Sequence, residues 1–446
     1  MRVQLLAKTD KKPLDLASHA ARVCYTLNQE LLEKQIDVKA RLFDSGHHTT
    51  LQHTNFTFYI QDVPVSTIVF GLHLTSPYYN SDQRSGRFSK MYADPDFEVI
   101  RKMLLPYYEA ADVEKVLPFI ETGAEIYREW LPKIVPLAEA AIKEERPFAD
   151  EKYIELNAPK LAQEQLRMFV SQIVPTALDT TLNLSALTAL WRSAWTPEMR
   201  SLTDAMRDAV LAEYPELDGF FNPSARRNED WYLPLQEGTA LVEDKPDLFL
   251  VHADVNETVY TNAGKDSVDT LYFTPEALEN DVHYVHTKVQ VSCATYGQDQ
   301  RHRSVRRSTP RLTTSFYLPP LLKQAGMMPV AMKYMQEWLE LKGQVPSGLM
   351  QAVTPYGAMV SYDKLADLNA LIHEQGKRSC WCAQEEIYHL SVALREVLAC
   401  MPEAAKLVSV LAPPCFICGK CQEGARYCGR DIKGTPKENY FPRRKV

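Results

Sequence analysis

Residues 285–303, VHTKVQVSCATYGQDQRHR, contain a change of period that sets the architecture. Val285, Thr287, Val289 and Val291 fall on one face of an extended chain, with His286, Lys288, Gln290 and Ser292 on the other, because successive side chains of a strand point to opposite faces. CATYGQDQRHR then reads as a helical turn. Residues 55–61, NFTFYIQ, alternate in the same way, with Phe56, Phe58 and Ile60 opposite Thr57, Tyr59 and Gln61, and STIVFGLHL follows them as a second turn. One strand-to-helix unit is thus expected twice.

A second pair of segments extends the repeat. VPTALDTTLNLSALTALW (174–191) and VTPYGAMVSYDKLADLNALI (353–372) both predict a Pro-led apolar helix, running on to further helices from Pro197 and Ala383. Thr196 is the expected N-cap of the first, with Pro197 at its first helical position. Glu385 and Glu386 place acidic charge at the start of the other, where the helix dipole favours it.

A chain of 446 residues exceeds one ordinary core, so two domains are expected. Residues 214–248 are rich in proline, charge and turn formers, which places the boundary near 236: an N-terminal domain over 1–235 and a C-terminal one over 236–446. The helical stretch from about 97 to 150 has no counterpart in the second half and reads as an insertion.

The formal net charge of −7 and a pI near 5.9 argue against a nucleic-acid binder acting through general basicity. No apolar run approaches about 18 residues, so no membrane span is expected and a cytoplasmic location is. Nine cysteines, four of them within 415–428, point to metal or reactive thiols rather than a disulfide framework.

Against this acidic background, residues 298–312, QDQRHRSVRRSTPRL, concentrate five arginines and a histidine. Arg301 and Arg303 flank His302 where strand gives way to helix, with Gln298 just before, an arrangement suited to a pyrophosphate or an anionic heterocycle held by bidentate contacts. Taken alone, an arginine run is more often a solvated face; Arg306, Arg307 and Arg311 add enough like charge to favour a bound anion. At the matching place in the first half, LHLTSPYYNSDQRSGRF (72–88), Leu72 and Leu74 replace the arginines. There Ser85, Gly86 and Arg87 form a small cationic turn able to take a phosphate. Upstream, His47, His48 and His53 lie within seven positions, a weak sign of metal or acid–base chemistry.

These motifs carry a family resemblance. LAKTDKKPLDLASHAARVCY, GHHTTLQHTNFTFYI and NSDQRSGRF in the first half, and QDQRHR and RSCWCAQEEI in the second, resemble the flavin-dependent thymidylate synthases. The family signature is Arg-His-Arg, then Ser-x-Arg-Tyr, with a Gly-His pair upstream; His47 lies 25 residues before Leu72, so the register holds where the arginines are lost.

The resemblance implies an α+β (α/β) fold of two tandem domains, each an antiparallel sheet packed with helices. It implies that Gln298, Arg301, His302 and Arg303 hold FAD and the edge of dUMP, and that Ser85, Gly86 and Arg87 take the dUMP phosphate. His47 would lie on the folate side, Arg378 would polarise the uracil, and Thr309-Pro310-Arg311 would be the second half's version of the phosphate turn. Another phosphate-binding arginine of the family falls near Asn369. Methylenetetrahydrofolate and NADPH are the implied co-substrates. Family members are homotetramers with sites between subunits, so a fused duplicate is expected to form a homodimer that mimics the tetramer. The absence of a Gly-rich dinucleotide fingerprint agrees with a flavin fold unlike the Rossmann type. A degenerate, non-catalytic nucleotide binder is the competing reading, motivated by Leu72, Leu74 and Asn369; an RNA-directed role for Arg301 to Arg311 is the weakest.

The tail stands apart. Cys415, Cys418, Cys421 and Cys428 are close enough in sequence to enclose a tetrahedral zinc, with an iron–sulfur cluster or reduced thiols as alternatives. Cys380 and Cys382 are expected to be small buried residues.

Overall fold

The computed structural model describes residues 1–446 except 76–78, 87–93, 256–258, 261–273, 422, 425, 426, 431, 438 and 439. The fold is α+β. Its first sheet is wholly antiparallel, in the order β1 (Arg2–Lys8), β2 (Asn55–Pro64), β4 (Pro175–Asn183), β3 (Tyr79–Gln83). The second runs β5 (Leu241–Glu243), β9 (Arg311–Tyr317), β10 (Ala358–Asp367), β7 (Tyr284–Ser292), β6 (Asp247–Asp254), with β8 (Arg306–Arg307) on β10. β5 lies parallel to β9, so this sheet is mixed and not purely antiparallel as expected.

The alternation read at 55–61 and 285–291 is that of β2 and β7. Phe56, Phe58 and Ile60 are fully buried, as are Val285, Thr287, Val289 and Val291. Val65–Thr67 and Ile68–Leu72 turn helical after β2, and a helix over Cys293–Asp299 follows β7.

The segments at 174–191 and 353–372 depart from the expected helices in the same way. Each begins as a strand, β4 or β10, and turns helical only at Leu184–Ser193 and Leu368–Arg378. Buried positions run Thr176, Leu178, Thr180, Leu182 and Val360, Tyr362, Lys364, Ala366, a period of two that inward-facing threonine and lysine concealed. Asn183 and Asp367 cap the two helices, accepting from Ala186 N and Ala370 N. Thr196 caps the helix Pro197–Leu211 as expected, accepting from Met199 N.

Two long helices, Ala110–Glu145 and Glu151–Leu166, pack on one another. The main core draws on both halves of the chain: Val65, Val69 and Phe70 share it with Val289, Phe316 and Tyr334, and the Phe119 ring stacks on Tyr334 at 4.6 Å. Segment 166–174 passes through this core. Its backbone is bonded to one side by Val65 N to Val174 O and Ser66 N to Gln172 O, and to the other by Gln172 N to Thr354 O and Tyr356 N to Val170 O. Gly357 N also donates to Met168 O; a side chain at Gly357 would meet the Phe316 ring at 2.5 Å, which requires glycine at this approach.

Candidate active site

The helix Cys293–Asp299 is fixed at its start by a buried carboxylate. Ser292 N and Thr295 Oγ1 each donate to Glu386 at 2.6 Å, and Ser292 Oγ donates to the same group. Glu386 therefore acts on a neighbouring helix and not simply as a dipole partner of its own. Burial pushes its carboxyl up to about 7, against the opposing pull of the Ser292 hydrogen bonds. A carboxyl with a raised folded pKa favours the fold in its protonated form, so stability present below about pH 4.5 falls as pH rises towards 7. Glu386→Gln keeps the acceptor without the charge. We expect it to flatten the dependence of Tm on pH between 5 and 8, as measured by scanning calorimetry in matched buffers.

At the far end of that helix the residues of interest converge. Gln298 Nε2 donates to Ala294 O at 3.2 Å and to Gln384 Oε1, which also accepts from the buried Arg167. Arg378 donates to the Gln298 carbonyl at 2.6 Å. Arg301 crosses to the first half of the chain, donating to the Ser81 carbonyl at 2.6 Å and to Asp82 at 3.3 Å on β3. Arg303 joins it with bonds to Ser81 O at 3.0 Å and to Asn80. Behind them His73 Nε2 meets Ser81 Oγ at 2.7 Å; burial, with Arg301 and Arg303 nearby, lowers its imidazole to about 3, so this histidine is neutral at physiological pH.

Within the same stretch, Arg307 is compensated by a carboxylate of the chain itself. Asp299, itself part of the quoted stretch, is fully buried and accepts from Arg307 Nε at 2.6 Å, Lys364 Nζ at 2.7 Å and Tyr362 OH at 2.7 Å. Lys364 also reaches Glu374 at 2.8 Å. Burial opposes ionisation of Asp299, but Arg307 and Lys364 outweigh it and hold the carboxyl well below the usual range.

A cavity of about 210 Å³ opens where the two halves meet. The first half lines it with Val65, Val69 and Gln83–Gly86; Arg167 adds a buried cation, and Gln298 and Arg301 enter from the second. Among the described residues, its lining holds three arginines and no carboxylate. Arg167 Nε and Gln298 Oε1 are buried without a hydrogen-bond partner, a donor and an acceptor that a polar anionic ligand would satisfy.

The structure therefore brings Gln298, Arg301, Ser85 and Gly86 together at one cavity, with Arg378 one bond behind it. Arg87 lies outside the described residues. His302 faces inward against His373, ring centroids 5.4 Å apart, and lines neither this cavity nor the larger one beside it. Arg311 is exposed at the start of β9, and His47 is exposed ahead of the turn His48–His53; neither lines the cavity. His48 stacks on Phe43 and meets its carbonyl oxygen at 2.9 Å, a structural role. Asn369 is buried in a network with Asn280, Asp281 and the Ala277 carbonyl and does not line the cavity.

The tail set is split. Cys415, Cys421 and Cys428 line a pocket with Cys380 and Cys382, whereas Cys418 is exposed and donates to Pro414 O at 3.0 Å. Burial pushes the Cys415 thiol up to about 12. Among the described residues no group of three or more histidine, cysteine or carboxylate side chains is placed to hold a metal ion. No helix among them is long and apolar enough to cross a membrane.

Sequence reasoning missed Arg167, Gln384, Tyr356 and His73. Arg167 follows a helix of mixed polar and apolar residues, and nothing in its immediate sequence marks it as facing a cavity built from both halves.

Comparison with known proteins bears on the same region. Residues 4–216 match the family described as thymidylate synthase complementing protein. No curated protein matches the chain. Among solved structures, a flavin-dependent thymidylate synthase from Helicobacter pylori, complexed with FAD and dUMP, is 18% identical, covers 51% of this chain and 100% of its own, and gives a TM-score of 0.34. A UMP/dUMP methylase from Streptomyces cacaoi bound with 5-Br UMP is 12% identical over 39% of this chain and 98% of its own, with a TM-score of 0.32. Residues 4–216, just under half of the chain, are thus similar to the thymidylate synthase complementing proteins.

Proposed function

We propose that this chain, similar to that family over residues 4–216, transfers the one-carbon unit of methylenetetrahydrofolate to C5 of dUMP and reduces it to a methyl group, with FAD as cofactor and NADPH as the source of the two electrons. The observation that carries the reading is the cavity between Gln83–Gly86 and Gln298–Arg301, where Arg301 spans the two halves. FAD, when bound, would supply the redox chemistry and the carriage of the one-carbon unit. The protein's own part is positioning and charge. Arg84, Arg167 and Arg301 give a fixed positive field for phosphate, and the Arg378 guanidinium holds the Gln298 carbonyl, so the turn that presents Arg301 is set before substrate arrives.

The two halves are read as diverged copies of one domain, divided near 236. In support, each sheet contains the same run: an edge strand, the alternating strand, the strand that leads into a capped helix, and a further strand, as β1-β2-β4-β3 and β6-β7-β10-β9. Two such chains would assemble four copies, as a homodimer mimicking a tetramer.

Purified protein should be yellow and, given folate and reductant, should release tritium from [5-³H]dUMP. A colourless preparation that takes up no FAD on titration would overturn the reading. Arg87→Ala is expected to leave FAD bound and weaken dUMP at least tenfold, the loss of a charged hydrogen bond. The buried, fully bonded Asn369 favours a second reading, a nucleotide binder without turnover; tight dUMP binding in calorimetry with no tritium release would select it.

A further inference from the structure

The larger cavity belongs to no role assigned so far. It measures about 580 Å³ and is lined from the first half by His73–Thr75, Trp195, Arg227 and Trp231, and from the second by Tyr296, Gln300, Arg303 and Val305–Thr309. We propose that it is a second ligand site, for a planar aromatic ring bearing an anionic group, of the class to which nucleoside monophosphates and flavin mononucleotide belong.

Its residues divide into a ring-binding wall and an anion-binding rim. Trp195 and Trp231 stand edge to face with centroids 6.5 Å apart, and Tyr296 lies on the same lining; such faces take a flat ring by stacking. Among the described residues, the lining holds four arginines and no carboxylate. Arg307 is neutralised by Asp299, and Arg303 is engaged by Asn80 and Ser81. Arg227 and Arg306 are exposed at the rim, and among the described residues no carboxylate pairs with either, which leaves them suited to a phosphate.

Two buried atoms complete the case. Trp195 and Gln300 are each only 6% exposed, yet Trp195 Nε1 and Gln300 Oε1 have no hydrogen-bond partner. Gln300 is held in place by its other end, with Nε2 donating to Val69 O at 2.9 Å and His73 O at 3.2 Å. A fixed donor and a fixed acceptor, both unsatisfied, beside an aromatic wall are what the polar edge of a heterocycle would engage. The volume falls within the range of small-molecule sites, about 300–1,000 Å³.

The position of the cavity adds an independent reason. The first cavity joins the strand end Gln83–Gly86 of the first half to the helix end Gln298–Arg301 of the second. This one joins the helix end His73–Leu74 of the first half to the strand-side residues Arg306–Thr309 of the second. The segments have exchanged roles, so the second cavity is the reciprocal of the first.

The test uses the full chain and two probes, dUMP and flavin mononucleotide, titrated separately by calorimetry and by quenching of tryptophan fluorescence. Arg301→Ala is the background, because it impairs the first cavity and leaves the second lined. The proposal expects at least one probe to bind there at one per chain, with quenching, and the probe that binds tells a pyrimidine nucleotide from a flavin source. In the same background Arg306→Ala should weaken that probe at least tenfold, and Trp195→Phe, which keeps an aromatic face but replaces the indole by a smaller ring without the N–H, about threefold or more, both with little change in circular dichroism. Binding of neither probe in the Arg301→Ala protein would overturn the proposal. So would binding that Arg306→Ala and Trp195→Phe both leave unchanged. Neither outcome depends on tritium release from dUMP, so failure here is distinct from failure of the methyl-transfer reading.

Discussion

Arg301→Ala is expected to weaken flavin and dUMP binding at the first cavity by about 10- to 100-fold while lowering Tm only slightly. The side chain is partly exposed, and its bond to Asp82 reaches a carboxylate whose side chain is 85% exposed, so the structural ion pair contributes little. Its other role is larger. It carries a charge into a cavity whose described lining residues include no carboxylate, and a hydrogen bond to a charged group contributes about 1.5–3 kcal/mol. Flavin absorbance per chain after dialysis, with dUMP calorimetry on the same sample, measures both effects. Full flavin occupancy and unchanged dUMP affinity would remove Arg301 from the site.

Asp299→Ala should be the most destabilising single change, at about 3–5 kcal/mol, because it leaves two buried cations without their main counter-charge. Arg307 and Lys364 have side chains 10% and 8% exposed, and Asp299 is their common partner. The lowered carboxyl pKa sets the sign of the pH effect. Its stabilisation is fully present above the unfolded value near 4 and is lost progressively as pH falls from there to the lower folded value. The Asp299 contribution should therefore decline as pH falls below about 4, and Asp299→Ala should shift the urea midpoint downward at pH 7. A loss under about 1 kcal/mol would mean that Glu374 alone satisfies Lys364.

Part of this was open to a reader of the sequence. The alternation at Phe56, Phe58, Ile60 and at Val285 to Val291 gave the two central strands, because hydrophobic residues there are strictly period two. The partner strands were read as helices because their buried positions include Thr176, Thr180 and Lys364, and inward polar residues erase the alternation. Proline ahead of each segment then suggested a helix start. At the site, the pairing of the arginine stretch with the Ser85–Gly86 turn was legible through the family motif. Its charge balance was not, although Asp299 lay within the stretch: a single acid among five arginines looks outnumbered until burial makes it the hub of a network. Arg167 and the aromatic wall of the second cavity depend on contacts between segments far apart in the chain, which no local pattern encodes.

The segment 166–174, threaded through the shared core, also has a consequence in time. Its apolar residues, Leu166, Met168, Phe169 and Ile173, are fully buried in the finished protein. Thr354, which accepts from Gln172, lies 182 positions later (354 − 172). At synthesis rates of about 5–20 residues per second, the growing chain carries the side of this stretch that meets Thr354–Gly357 uncovered for roughly 10 to 40 seconds. During that interval the nascent protein is a target for chaperones and at risk of aggregation, and slower translation between the two points would lengthen the exposure.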